Sequence, residues 1–356
     1  MPTDKGECTP TSLQLAAETQ EMDGLEMSSP NSLPFLPPEV IRHIIDFLVP
    51  PPPLLPVALH SSHILTKTYL SLCLTSRAIR PAALRLLYTY CLYLDSPHRL
   101  HRLGDTLSDL SNQTIQSGNP GTDSLTYTHF SSQITSLYLA PFAHNSLDNL
   151  PVANSLSRLV DLLAVNLRTL VIDIPLRSLY PDEDSQNVRP IIRRAFSQLT
   201  RLQVFCSVRD ELYLDLHEPP LNADEPPVWS LWPDIRILAL YNADIGTARF
   251  WPHLGRLKGL HTLVLTRCDG LESVDITRAW VENCGDVKRP LTVVLVNIDS
   301  DHPVSTQWNG WKDDGAVIVK KVNVPVSYYG DDDPIDLCQE WVKRRLLRGE
   351  APNTWT

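Results

Sequence analysis

The sequence predicts an α/β protein. A small N-terminal helical unit is followed by an irregular repeat solenoid with parallel strands, and a C-terminal helix caps the array. Three observations predict this class. Apolar residues at helical spacing fill a compact stretch between 33 and 95. Six later segments carry an apolar residue at x, x+3 and x+5, with starts 33, 32, 36, 25 and 31 residues apart. Near the C-terminus, Asp333-Pro334 and Gly349 bracket an amphipathic run, as a capped helix requires.

Length and charge narrow the class. The chain has 356 residues, 43% of them hydrophobic, enough for a sizeable core. Forty-one carboxylates against 31 Lys and Arg give a formal net charge of −10, which argues against a general nucleic-acid binder. The seven cysteines are odd in number and form no C-x-x-C pair, which suits reduced thiols in a reducing compartment. No basic segment followed by an apolar core opens the chain. No stretch approaches 18 uninterrupted apolar residues. Neither a secretory signal nor a membrane span is expected, and cytoplasmic and nuclear residence fit equally.

Residues 1–32 are polar and acidic and are expected to form a disordered tail. In the next unit, 33–95, Pro38 suits the first turn of a helix and Glu39 suits its positive end. Val40, Ile41, Ile44, Ile45 and Leu48 form its apolar side. Four prolines, Pro50 to Pro53, stop it, and residues 50–65 read as a proline-rich insert. Between Thr66 and Tyr90 two helices are expected, meeting near Arg80, because Pro81 is tolerated at a helix start but not inside one. Cys91 to Asp95 reads as a short strand.

The remainder, 96–356, carries the repeat. A helix is expected from Pro97 to Leu110 and a loop over Ser111 to Thr128. The six repeat segments are Ile134/Leu137/Leu139, Leu167/Leu170/Ile172, Leu199/Leu202/Val204, Ile235/Leu238/Leu240, Leu260/Leu263/Leu265 and Leu291/Val294/Val296. The last two positions of each lie two apart and so share one side of a strand. Leu150 to Val165 and Val188 to Leu199 have the helical periodicity needed to return the chain between strands. Such units bury their apolar sides only by stacking. The C-terminal helix, with Leu337, Trp341, Val342 and Leu346 as its stripe, is expected to seal the open end of the array.

The sequence holds none of the common catalytic signatures: no G-x-G-x-x-G, Walker A run, G-x-S-x-G or H-E-x-x-H. His60-x-x-His63 and His98-x-x-His101 have metal-like spacing but no further ligands beside them. Asp331 to Asp333 reads as a turn and helix cap. No cofactor and no metal are expected, and the chain is read as a non-enzyme.

The stretch Leu36-Pro37-Pro38-Glu39-Val40-Ile41, continued by Ile44-Ile45-Asp46-Phe47-Leu48, resembles the opening of an F-box. Leu70 to Arg80, with Leu72-Cys73-Leu74-Thr75-Ser76-Arg77, looks like its second half. Together with Ala82-Ala83 and Leu86-Leu87-Tyr88, the stretch is similar to F-box proteins of filamentous fungi. The proline-rich insert departs from the motif. The segments that follow look like a degenerate leucine-rich-repeat array without the Asn or Cys that closes a regular repeat.

The resemblance implies the substrate-recognition subunit of a Skp-cullin-F-box ubiquitin ligase. Such a subunit docks a Skp-type adaptor on a cullin scaffold and holds a protein target on its other domain. Leu36, Pro37, Val40, Ile41, Ile44, Leu48, Leu70, Leu74 and Arg77 are the candidate adaptor-binding residues. Leu36, Pro37, Val40, Ile41, Ile44 and Leu48 exceed what a three-helix unit needs inside; the alternative is that the first helix packs its apolar side on the repeats, and the same two readings apply to Leu70, Cys73 and Leu74. Arg77 pairs either with an acidic group on the adaptor or with Asp46. Target recognition is expected on the strand face or the long loops, with Trp229, Trp251, Trp308 and Trp311 as candidate anchors or as core residues. No nucleic acid or membrane partner is expected. Two other readings stand beside this one: an interaction or scaffold protein acting outside a ligase, and an enzyme whose polar site is assembled only by folding.

Overall fold

A computed structural model of the chain describes residues 37–49, 55–116, 127–218, 225–285, 289–298, 316–326 and 332–355. The described residues from Pro38 onward form one contact unit, and the tail expected over 1–32 lies outside the described residues.

The first three helices are α1 (Pro38–Asp46), α2 (Ile64–Thr75) and α3 (Arg80–Tyr90). Their boundary near Arg80 falls where Pro81 can occupy the first turn of α3 without breaking a helical bond. Ile45, Tyr69 and Leu86 form the buried centre, with Ile41, Leu48, Leu72, Ala82 and Leu87 packed around them. The Tyr69 hydroxyl donates to the Leu48 carbonyl at 2.9 Å, which ties α2 to the end of α1.

The second half of the insert, read as a loop, is held in place. The Val57 amide donates to Leu347 at 2.9 Å and the Leu59 amide to Tyr90 at 2.6 Å. Ser136 Oγ donates to both Val57 and Thr89 carbonyls. Pro56 and Ala58 are buried. Gly349, at φ 75°, lies so close to the Leu55 backbone that a Cβ would overlap the Leu55 carbonyl. Proline content signalled a break in helix α1 correctly but said nothing of these backbone partners. Residues 50–54 lie outside the described set.

Eight strands follow: β1 (Tyr93–Leu94), β2 (Ser136–Leu139), β3 (Thr169–Ile172), β4 (Val204–Ser207), β5 (Ile237–Tyr241), β6 (Thr262–Thr266), β7 (Leu291–Ile298) and β8 (Val317–Val324). They form one sheet, every neighbouring pair parallel, in sequence order. The intervening helices are α4 (Pro97–Gln116), α5 (Tyr127–Gln133), α6 (Leu150–Leu163), α7 (Val188–Ser197), α8 (Phe250–Gly255) and α9 (Ile276–Asn283). Leu137, Leu170, Phe205, Leu238, Leu263 and Val293 stand in register on one side of the sheet and are buried with residues of these helices.

Two repeat segments take a different register from the one expected. In the third, the strand begins at Val204, and Leu202 and Phe205 occupy the positions given to Leu199 and Leu202. Leu199 instead closes the end of α7, its amide donating to Phe196. In the sixth, Val293 and Leu295 face the helices, and Val294 and Val296 face away. The run Val-Val-Leu-Val is buried on both sides, as parallel strands often are, so alternation offers no phase. Helix α4 also runs past Leu110 to Gln116, through a stretch read as loop. Its polar residues lower helix preference but contain no Gly or Pro before Gly118. Strand β8 was not anticipated.

The C-terminal helix, α10 (Pro334–Leu347), starts as expected: the Asp333 side chain accepts from the Ile335 amide at 2.7 Å and Pro334 occupies the first turn. Its position is different. It does not seal an end of the array but packs on the second side of the sheet. Cys338, Val342 and Leu346, with Trp355 beyond the helix, are buried with Tyr138, Val171, Cys206, Ala239, Val264 and Val294. The side chains in this row are mostly small and apolar, so the row has no stable exposed state and accepts a helix stripe.

A buried charge cluster anchors α10. Lys343 Nζ lies 3.2 Å from the Asp173 carboxylate, Arg209 Nε binds the same carboxylate, and the Tyr138 hydroxyl donates to it at 3.0 Å. Burial alone would raise the Asp173 pKa, but Arg209, Lys343 and Tyr138 outweigh it and hold the carboxyl below its ordinary value. Its stabilising contribution is therefore present above the unfolded carboxylate pKa, near 4, and is lost as pH falls through the folded value. Asp173→Asn is expected to cost roughly 2–3 kcal/mol at neutral pH. It should also remove part of the stability loss seen in wild type below about pH 4. Urea midpoints measured across pH check both effects.

Candidate functional site

Helix α1 is apolar on two adjacent sides. Ile41, Ile45 and Leu48 recur at i, i+4 and i+7 and turn toward the core of the first three helices. Val40, Ile44 and Phe47 follow the same spacing one position earlier and stand in solvent, 43%, 50% and 76% exposed. Helix α2 repeats the arrangement. Leu65, Tyr69 and Leu72 pack inward, while Leu70 and Leu74 remain 50% and 88% exposed. Ile64, at the start of α2, is exposed as well. These outward stripes cover nothing within the described residues, and apolar side chains clustered this way mark an interaction surface.

The candidate adaptor-binding residues divide accordingly. Val40, Ile44, Leu70 and Leu74 lie on the outward stripes, and Pro37 is exposed. Ile41 and Leu48 are half-buried against the internal core. Leu36 lies outside the described residues. The alternative in which the outward side of α1 packs on the repeats is overturned by the exposure of Val40, Ile44 and Phe47. Phe47 and Ile64 were missed, although the i+3 step from Ile44 pointed to Phe47.

Arg77 is exposed and does not pair with Asp46. Arg85 does, at 2.8 Å, because α3 packs on α1 and presents that residue at the right height. Both partners are about half exposed, so the pair contributes little stability.

The strand face, expected to receive a target, is closed by α10. The tryptophans divide as well. Trp229 and Trp251 are 3% and 5% exposed and belong to the core between sheet and helices, which removes them as free anchors. Trp251 Nε1 donates to the Ile245 carbonyl, as a buried indole requires. Trp308 and Trp311 lie outside the described residues.

One cleft opens beside Trp229, at the carboxyl ends of β4 and β5. It has a volume of about 90 Å³, with Trp229, Phe250 and Tyr213 as apolar walls and Asp215, Asp244 and Arg249 among its polar lining. Its charges are engaged: Arg249 binds Asp215, and the Asp244 carboxylate accepts from the Gly246 amide.

The loop beneath this cleft is built by two buried charged residues that sequence reasoning did not single out. The Asp210 carboxylate accepts from the amides of Leu212 and Leu176 and from Ser207 Oγ, and burial pushes its pKa up to about 7. Leu212 sits at φ 64°, and the Asp210 bond holds that left-handed turn. Arg189 is 1% exposed. Its guanidinium donates to the carbonyls of Leu176, Leu179, Tyr213 and Asp215, at 2.6 to 3.2 Å. It also lies 4.6 Å from the Tyr213 ring centre. Arg189→Met would leave those carbonyls buried without donors and is expected to destabilise by about 3 kcal/mol or more. A shift in urea midpoint measures it. Arg189 and Asp210, each 1% exposed and hydrogen-bonded to the surrounding backbone, form a structural clamp.

The histidine pairs have local roles. His63 Nδ1 caps α2 by accepting from the Leu65 amide, and His60 bonds Ser62. His101 bonds Ser155, and His98 lies against Arg102. Among the described residues no group of three His, Cys, Asp or Glu side chains is placed to hold a metal ion. No described helix is long and apolar enough to cross a membrane. Cys73, Cys91, Cys206, Cys268 and Cys338 are free thiols. Compared with protein-family models, with curated proteins and with solved structures, the chain matches none.

Proposed function

We propose that the chain is a non-catalytic receptor of an intracellular Skp-cullin-F-box ubiquitin ligase. Helices α1 and α2 dock a Skp-type adaptor that joins it to a cullin, and the repeat half presents a protein target. The observation that carries this reading is the second apolar stripe along α1 and the turn after it, Val40/Ile44/Phe47, left exposed as are Leu70 and Leu74 on α2. A nine-residue helix needs only its inward stripe to pack. A partner that covers the outward one recovers about 25 cal/mol for each Å² of apolar surface it removes from water. The F-box-like residues of this stretch supply the identity of that partner. The single-wound order of parallel strands is compatible with a leucine-rich-repeat-like array. Because α10 closes the strand face, target recognition falls to the rims and connections.

The test is purification of the full-length chain from cells with adaptor and cullin antibodies, together with a proteome comparison after its deletion. The ligase reading expects adaptor and cullin in one complex and a protein whose half-life lengthens on deletion. Adaptor without cullin, and no stabilised protein, would move the chain to the scaffold reading.

A further inference from the structure

We infer that the repeat half takes its target by an anionic, extended peptide segment laid along the amino-end rim of the sheet, across Arg168, Arg201, Arg236, Arg256 and Lys258. The inference rests on the receptor reading above and names the chemistry of the target.

Charge is divided between the two ends of the sheet. The connections that enter β3, β4, β5 and β6, residues 164–168, 198–203, 232–236 and 256–261, carry five Lys or Arg and one carboxylate, Asp234. The connections that leave the same strands, 173–187, 208–227, 242–249 and 267–275, carry fourteen carboxylates and four arginines. All these strands are parallel and neighbours in sequence order, so every entry lies at one end of the sheet and every exit at the other.

The two ends also differ in how far their charges are satisfied internally. At the exits, Arg177 binds Glu211, Arg249 binds Asp215, Arg193 binds Glu225, and Arg209 and Lys343 share Asp173. At the entries, Arg236, Arg256 and Lys258 are exposed and form no ion pair among the described residues. Arg201 meets Asp234 at 3.7 Å, with both side chains about half exposed, and such a pair is weak. The amino-end rim is therefore the end with cationic charge to offer.

Backbone geometry makes a row of it. The Gln203 amide donates to the Arg168 carbonyl at 2.7 Å, the Arg236 amide to Gln203 at 2.8 Å, and the His261 amide to Arg236 at 3.0 Å. Positions 168, 203, 236 and 261 thus step across four strands, at about 4.8 Å each and about 14 Å in all. Arg168 Nη1 donates to the Arg201 carbonyl at 3.1 Å. A Cβ on Gly259 would stand 3.0 Å from the Ile235 carbonyl oxygen, so the turn that carries Lys258 lies beside the row. Burial and the neighbouring Arg236 hold the His261 imidazole below its ordinary pKa, which leaves the charge of the row on arginine and lysine.

A row of this length suits an extended peptide. Such a chain rises about 3.3 Å per residue, so about five residues cover the row, with alternate side chains on the protein-facing side. Anions at those alternate positions meet successive cations, as in other arginine-based recognition of acidic motifs. A nucleic acid would answer the same cations, but its charge continues past the row and is repelled by a chain of net charge −10.

The test is fluorescence anisotropy of labelled probes with the full-length chain at about 50 mM and 500 mM salt, between which the Debye length falls about threefold. Three peptides of about ten residues share one frame: Glu at alternate positions, Gln at those positions, and Gln with two phosphoserines among them. A DNA duplex of about twenty base pairs is the fourth probe. Adaptor binding is followed in the same samples. An anionic peptide is expected to bind at least tenfold more tightly than the Gln peptide and to lose that advantage at high salt. The variant Arg236→Glu, Arg256→Glu, Lys258→Glu should lose it too, while Arg236→Lys, Arg256→Lys, Lys258→Arg keeps it. Gln at the same three positions serves as the second variant if the reversal melts early. Binding of the Glu peptide assigns carboxylates as the anions; binding of the phosphopeptide alone assigns phosphates; either upholds the inference.

Equal binding of the Gln peptide, no peptide binding, or anionic binding that ignores the variants overturns it. A duplex that binds more tightly than both anionic peptides overturns it in favour of a nucleic acid. Adaptor binding without peptide binding defeats this inference alone. Peptide binding through the rim without adaptor binding upholds the rim and sinks the docking reading.

Discussion

Replacing Val40 and Ile44 together by Asp is expected to abolish adaptor binding while leaving the chain folded. In the free protein these side chains are 43% and 50% exposed, so two surface carboxylates should cost under about 1 kcal/mol of stability. In the complex they would be buried without partners, which costs several kcal/mol each and lowers affinity by about a thousandfold or more. The control is the adjacent inward position. Ile45 is 1% exposed, and Ile45→Asp should unfold the three-helix core. Calorimetric titration with the adaptor, beside thermal melts of each variant, separates the two effects. Equal affinity for wild type and the double variant would remove α1 from the interface.

The second large effect concerns α10. Deleting residues 334–356 is expected to yield an aggregating or unfolded protein, not one with an opened binding face. Cys338, Val342, Leu346 and Trp355 are each less than 5% exposed, and all four leave the sheet in the truncation. Their burial is worth on the order of 8 kcal/mol. That is comparable with the whole folding free energy of a typical domain. The deletion also removes the Leu347 carbonyl that holds Val57, and Lys343, which neutralises Asp173. Soluble expression, near-ultraviolet circular dichroism and dye binding to exposed apolar surface report the outcome. A folded, monomeric truncation would mean that α10 is a detachable cover and that the strand face is available to a target.

The sequence is informative where local chemistry acts alone. Pro38, Pro81, Asp333-Pro334 and Gly349 set helix limits through φ restrictions, missing amides and capping bonds, and those limits stand in the structure. The leucine segments marked four of the six repeat strands in correct phase. Phase failed where Phe205 replaces a leucine, and at Val293–Val296, where both sides are buried. Long-range placement was not legible. An amphipathic stripe says that α10 needs an apolar partner, not that the partner is the second side of the sheet. The same limit applies to Arg189, whose carbonyl partners come from segments 10 to 26 residues away. For the docking surface, spacing identified α1 and α2 as apolar, but only packing separates Val40 and Ile44 from Ile41 and Ile45. The tryptophans were misleading because size and amphipathic character suit a core as well as an interface, and burial decides between them.

The most direct test is hydrogen–deuterium exchange on the full-length chain with and without a stoichiometric Skp-type adaptor. Protection is expected over residues 38–48 and 64–75, with exchange in β3 to β7 unchanged. Absence of protection in those two segments at saturating adaptor, or protection confined to the repeat half, would contradict the assignment of α1 and α2 as the docking surface.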